Sequence, residues 1–127
     1  MTFSFDPRRG LVIVRAEIWG PTGSGIVRLA LDTGATETVI NAGPLVAIGC
    51  DPSLVPQRSQ VTTGSGVEFV PRLPVERFMA LGIERAGFPV LCHTLPPSAG
   101  VDGLLGLDFV RGYILTVNLR DGLLNVE

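Results

Sequence analysis

Ile26-Val-Arg-Leu-Ala-Leu-Asp-Thr-Gly-Ala-Thr-Glu-Thr-Val-Ile40 is the stretch on which the fold turns. Val27, Leu29 and Leu31 share one side of an extended chain and Arg28 falls on the other, so Ile26–Leu31 is expected to be a strand with one buried face. That strand delivers Asp32 onto the turn Thr33-Gly34, and a second apolar stretch, Val39-Ile40, follows almost at once. Alone, the triplet Asp-Thr-Gly is weak: residue frequencies of about 5–7% place it by chance in roughly one chain in 40 of this length. A strand ending in a turn, its Asp accepting hydrogen bonds from nearby backbone, explains it as well. Its meaning rests on its surroundings and on its single occurrence.

Working outward, Leu11–Trp19 mixes β-branched residues with partial alternation and predicts a strand. The turn Asp6–Gly10 precedes it, with Phe3 and Phe5 on a short edge strand. Gly20–Gly25 is expected as the turn that joins it to Ile26–Leu31. Downstream, Asn41 is placed to cap a short helix running to Ile48, with Pro44 near its first turn and Gly49 near its end. Asp51–Arg58, with Pro52 and Pro56, reads as a surface connection. Gln60–Thr63, Gly64-Ser-Gly66 and Val67–Val70 form a hairpin with a glycine tip. Val75–Leu81 and Ala86–Leu95 are two further strands, joined through Gly82 and Gly87. Tyr113–Leu119, the turn Arg120-Asp-Gly122 and Leu123–Val126 close the chain as a hairpin.

The bulk properties agree with one all-β domain over residues 1–127. Gly (16) and Pro (10) make up about a fifth of the chain, against a usual share nearer 12%, so turns between short strands are favoured over a helical bundle. Apolar residues at 46% argue against disorder. A net charge of −2 shows no basic excess and argues against nucleic acid as the main partner. No apolar run approaches the ~20 residues of a membrane span, and the N-terminus does not resemble a secretory signal, so no membrane association and a cytoplasmic location are expected. Cys50 and Cys92 are then two reduced, largely buried thiols. One histidine, His93, cannot build a multi-histidine metal site in one chain, so no metal and no cofactor are expected.

Three segments, in this order, resemble retropepsins, the single-domain aspartic proteases of retroviruses and their relatives. Asp32-Thr33-Gly34-Ala35 resembles the catalytic loop. Gln60–Phe69 resembles the flap hairpin, with Thr63, Gly64, Ser65 and Gly66 at its tip. Val101-Asp-Gly-Leu-Leu-Gly106 is similar to the hydrophobic-hydrophobic-Gly motif, here Leu104-Leu105-Gly106, that threads behind the catalytic loop. Gly106-Leu-Asp-Phe109 looks closer to the bacterial and DNA-damage-inducible relatives. The resemblance runs from about Leu11 to Leu119 and implies a closed β-barrel of the acid-protease fold, with one or two short helices and a flap hairpin.

It also implies a chemistry. Two close carboxyls sharing one proton can activate a water and protonate the departing nitrogen of an amide, because like charges at that distance cannot both ionise. Asp32 is then the catalytic residue, with Thr33, Gly34, Ala35, Leu104, Leu105 and Gly106 in support. Thr33 would bond across to its mate, and Gly34 would let the backbone approach a substrate closely. One triplet supplies one carboxylate, so the resemblance implies a homodimer with an Asp32 from each copy and a polypeptide as substrate. The alternative is a non-catalytic module of the same fold that dimerises or holds a peptide.

The chain also departs from the retroviral pattern. Thr36 and Glu37 stand where those enzymes usually carry acidic residues, and Leu107 where they carry an arginine, so their buried ion network beside the site is expected to be missing. Ala35 follows the retroviral pattern, where pepsin-like enzymes usually place Ser or Thr. Without that hydroxyl the ionised carboxylate is less stabilised, and a mildly acidic to neutral optimum follows.

Overall fold

The computed structural model describes residues 1–55, 58–63 and 66–127, Thr63 by its backbone alone. In chain order the elements are β1 (Thr2–Ser4), β2 (Ile13–Gly20), β3 (Gly23–Leu31), β4 (Val39–Ile40), α1 (Ala42–Ala47), β5 (Arg58–Thr63), β6 (Gly66–Ala80), β7 (Ile83–Cys92), β8 (Gly103–Leu105), α2 (Leu107–Val110), β9 (Leu115–Asn118) and β10 (Leu123–Val126). Single 3₁₀ turns lie at Pro52–Leu54 and Pro97–Ala99. Among the described residues no helix is long and apolar enough to cross a membrane.

Alternation along the strands creates the core. Val14, Ala16 and Ile18 of β2 and Val27 and Leu29 of β3 are buried, while Arg15 and Arg28 are exposed. Strands β2-β3-β8-β4-β7-β6 pair in that order and β6 returns to β2, which closes a six-stranded barrel. Closure removes the exposed sheet edges that this many short strands would otherwise present. Phe78, Phe88 and Phe109 meet inside it with ring centroids 4.9–5.6 Å apart. Phe109 comes from α2, directly after Leu104-Leu105-Gly106, so the segment behind the Asp32 loop is anchored by an aromatic cluster. Arg85 holds the end of α2, donating from Nε to the Phe109 carbonyl and from Nη2 to the Arg111 carbonyl, each at 2.8 Å. β5 leaves the ring as the outer arm of a hairpin with β6, paired from Arg58↔Pro71 to Thr63↔Gly66.

A separate three-stranded sheet, β1-β10-β9, packs Leu124 and Val126 onto the core. Its termini are engaged within the chain: the Met1 ammonium donates to the Val126 carbonyl at 2.7 Å, and the backbones of Ile114 and Glu127 exchange two bonds of 3.0 Å. Cys50 and Cys92 are free and buried, and burial pushes both thiols up, with the Glu76 carboxylate adding to the effect at Cys50.

Several details differ from the sequence expectation. The β2–β3 turn is only Pro21-Thr22; Ser24 and Gly25 already pair with Trp19 and Ile18. β6 is continuous through Pro71 and Pro74, where two separate strands were expected. Between Arg72 and Glu76 it is paired on one side only, because β5 stops at Pro71 and β2 begins at Arg77. Pro74 faces Pro89 on β7, a pairing that suits a position where neither N–H is needed. β7 starts three residues earlier than expected, after a two-residue turn in which Leu81 and Gly82 both have positive φ (53° and 70°). Asn41 precedes α1 but does not cap it with its side chain. Its Oδ1 instead accepts from the Leu95 N–H at 3.0 Å, and the Ala42 N–H is met by Thr94 Oγ1 at 3.1 Å.

Candidate active site

β3 and β8 run parallel, with Leu31 opposite Leu105, so the chain leaves the barrel at Asp32 beside the segment that enters at Gly106. The Asp32 N–H donates to the Leu105 carbonyl at 2.9 Å. The loop then turns back on itself: Ala35 N–H donates to the Asp32 carbonyl at 3.1 Å, and Gly34 N–H to Asp32 Oδ1 at 2.9 Å. This is an Asx turn, the local bonding that a strand-end Asp provides without any functional demand. It also fixes the carboxylate, half-buried, with Thr33 and Gly34 exposed beside it.

From behind, residues 105–108 clamp the loop. Leu107 N–H donates to the Ala35 carbonyl at 2.9 Å and Asp108 N–H to the Thr36 carbonyl at 3.3 Å. Gly106 has no room for a side chain, since a Cβ would lie 2.7–2.8 Å from Glu37 backbone atoms and 3.0 Å from the Ala35 carbonyl oxygen. Leu105 is fully buried as core, and half-buried Leu104 faces the cleft. The Asp32 loop is thus held by backbone bonds to Leu105, Leu107 and Asp108 and by close packing at Gly106.

Thr38 and Asp108 did not emerge from the sequence. Thr38 is fully buried; its hydroxyl donates to Asp108 Oδ1 at 2.7 Å and accepts from the Gly106 N–H at 3.1 Å, while its N–H reaches Asp108 Oδ2 at 3.1 Å. One hydroxyl thus joins the strand after the Asp32 loop to both parts of the brace. Thr38→Val keeps the shape but leaves the Gly106 N–H and an Asp108 oxygen without that partner. The expected cost is about 2 kcal/mol, read as a lower denaturant midpoint at unchanged slope.

A cleft of about 430 Å³ runs along the loop, with Asp32, Gly34 and Leu104 on one wall and Gln60, Val61 and Thr62 of β5 on the other. Among the described residues of its lining, Asp32 and Glu37 carry charge. Glu37 is engaged: its Oε1 accepts from Arg72 Nε at 2.8 Å. Thr36 beside it is exposed, and the Leu107 N–H is bonded to the Ala35 carbonyl. Of the expected hairpin-tip residues, Gly64 and Ser65 lie outside the described residues, and Thr63 and Gly66 close the β5–β6 ladder. His93 lies just past β7, its N–H bonded to the Ile40 carbonyl at 3.1 Å.

The decisive comparison concerns this loop and its brace together, since the model of the gag-polyprotein putative aspartyl protease family matches residues 22–112. The chain belongs to that family. The match takes in the Asp32 loop, the β5–β6 hairpin and the Leu104–Gly106 brace, which places the chain among aspartyl proteases of retropepsin-like fold. A crystal structure of a retropepsin-like aspartic protease from Rickettsia conorii superposes with a TM-score of 0.69 over 100% of this chain and 97% of that chain. At 17% identity, that likeness speaks for the fold. No curated protein matches the chain in sequence.

Proposed function

We propose that this family member is an aspartic endopeptidase that works as a homodimer, with Asp32 of each copy meeting at a twofold axis. The observation that carries the reading is the state of the two carboxylates lining the cleft. Glu37 is committed to Arg72, whereas Asp32 is fixed at the mouth by the Gly34 N–H in a loop whose next two residues are exposed. A single free carboxylate cannot both activate water and protonate an amide nitrogen, so the second must come from outside this chain.

In this reading Thr33 bonds across the axis to the facing loop, Gly34 and Ala35 give the peptide backbone access, and Leu104, Leu105 and Gly106 keep the loop rigid. The β5–β6 hairpin, with its tip at Thr63–Gly66, closes over an extended polypeptide and excludes water. No metal or cofactor takes part.

Light scattering across a dilution series, run beside peptide cleavage, tests the assembly. The expected result is a mass of twice 13.5 kDa whose decline on dilution parallels the loss of activity per subunit. A strict monomer that still cleaves peptides overturns it.

A further inference from the structure

Glu37 faces the cleft with its charge already balanced from behind. Arg72, on β6 opposite Leu91, reaches it from outside the cleft lining, and the two side chains remain 31% and 32% exposed. Nothing in the local chain forces this pairing, since the two residues are 35 positions apart and join the Asp32 loop to the strand that rises into the hairpin. The Glu37 backbone is fixed independently by its close packing on Gly106. Removing the guanidinium would therefore uncover the carboxylate while leaving its main chain held in place. Apart from Asp32 itself, the remaining described side chains of the lining are uncharged, so no other cation there would take over the role of Arg72.

We propose that Arg72 sets the side-chain preference of the cleft: by holding Glu37 it makes that wall accept neutral side chains and withhold an anionic contact from Lys or Arg of a substrate. The inference rests on the cleft being the peptide groove. A partly exposed carboxylate released from its partner attracts a cationic side chain by roughly fivefold in affinity, an effect that salt screens.

The test compares peptides in which each position in turn carries Lys, norleucine, Gln or Glu. Cleavage is measured as kcat/KM, and binding as Kd to the same proteins carrying Asp32→Asn. In Arg72→Leu the Lys-to-norleucine ratio should rise about fivefold at one position, shrink in high salt, and return to the wild-type value when Glu37→Gln is added. Glu37→Gln alone should shift the same position toward Glu, because it frees the guanidinium, and this carries the test if Arg72→Leu does not fold. Arg72→Leu changing all peptides alike, or a Lys preference that persists in the double variant, overturns the proposal. If the wild type cleaves but its variants keep its preferences, only this inference fails. If the wild type neither binds nor cleaves any peptide, the reading of the groove falls with it.

Discussion

Asp32→Asn is expected to lower kcat/KM for peptide cleavage by at least about 10⁴-fold while leaving folding and assembly in place. The size follows from what the side chain must do. General acid–base catalysis by one positioned group contributes about 10²–10⁴-fold. In a homodimer the substitution removes both members of the pair at once, and an amide can neither take a proton from water nor give one to the departing nitrogen. The structural cost is small, because the amide oxygen of Asn can still accept the Gly34 N–H that Asp32 Oδ1 accepts at 2.9 Å. Asp32 is also half-buried, so its replacement does not strand a charge in the core.

The measurement pairs cleavage of a fluorogenic peptide library with thermal unfolding and light scattering of the same protein. Cleavage should vanish with midpoint and mass unchanged, and the wild-type pH–rate profile should peak in the mildly acidic to neutral range. Residual cleavage within tenfold of wild type removes Asp32 from the chemistry. If the wild type itself binds peptides without cleaving them, the non-catalytic module is the correct reading.

What the sequence revealed about this site is what neighbouring residues determine among themselves. Alternation in Ile26–Leu31, the turn at Thr33-Gly34 and the small residue at Gly106 each act within a few positions, and together they place the loop, its brace and the hairpin. The Thr38–Asp108 bonds and the Glu37–Arg72 pair span 70 and 35 residues and exist only once the barrel has closed. Asn41 shows the same limit in reverse. Its position suits a helix cap, but β7 brings the Leu95 N–H within 3.0 Å, and that long-range partner takes the side chain. The two prolines in β6 mislead for a related reason: whether a strand tolerates Pro depends on which of its sides is paired, and that is a property of the sheet.

Gly103→Ala is expected to be the most damaging small substitution to stability, at about 3 kcal/mol or more. Gly103 lies on β8 where that strand is held between β3 on one side and β4 on the other, opposite Leu29 and Ile40. An added Cβ would overlap the Val39 carbonyl oxygen and press on Val39 C and Ile40 Cα at 3.0 Å. All three are backbone atoms, so no rotamer change relieves the clash and the strands must separate. Forced overpacking of this kind costs about 1–3 kcal/mol when side chains can adjust, and more when only backbone can move. Against a total of about 5–15 kcal/mol, the unfolding midpoint should fall by roughly 10 °C. Activity should fall with it, because separating β8 from β3 and β4 displaces Leu104, Leu105 and Gly106 from behind Asp32. The matched control is Gly43→Ala in α1, where a Cβ meets nothing within 4 Å and alanine favours the helix by up to about 1 kcal/mol. Destabilisation at 103 with neutrality or gain at 43 separates backbone crowding from a general intolerance of glycine replacement. A Gly103→Ala protein as stable as wild type would mean that β8 is not seated between β3 and β4 as described.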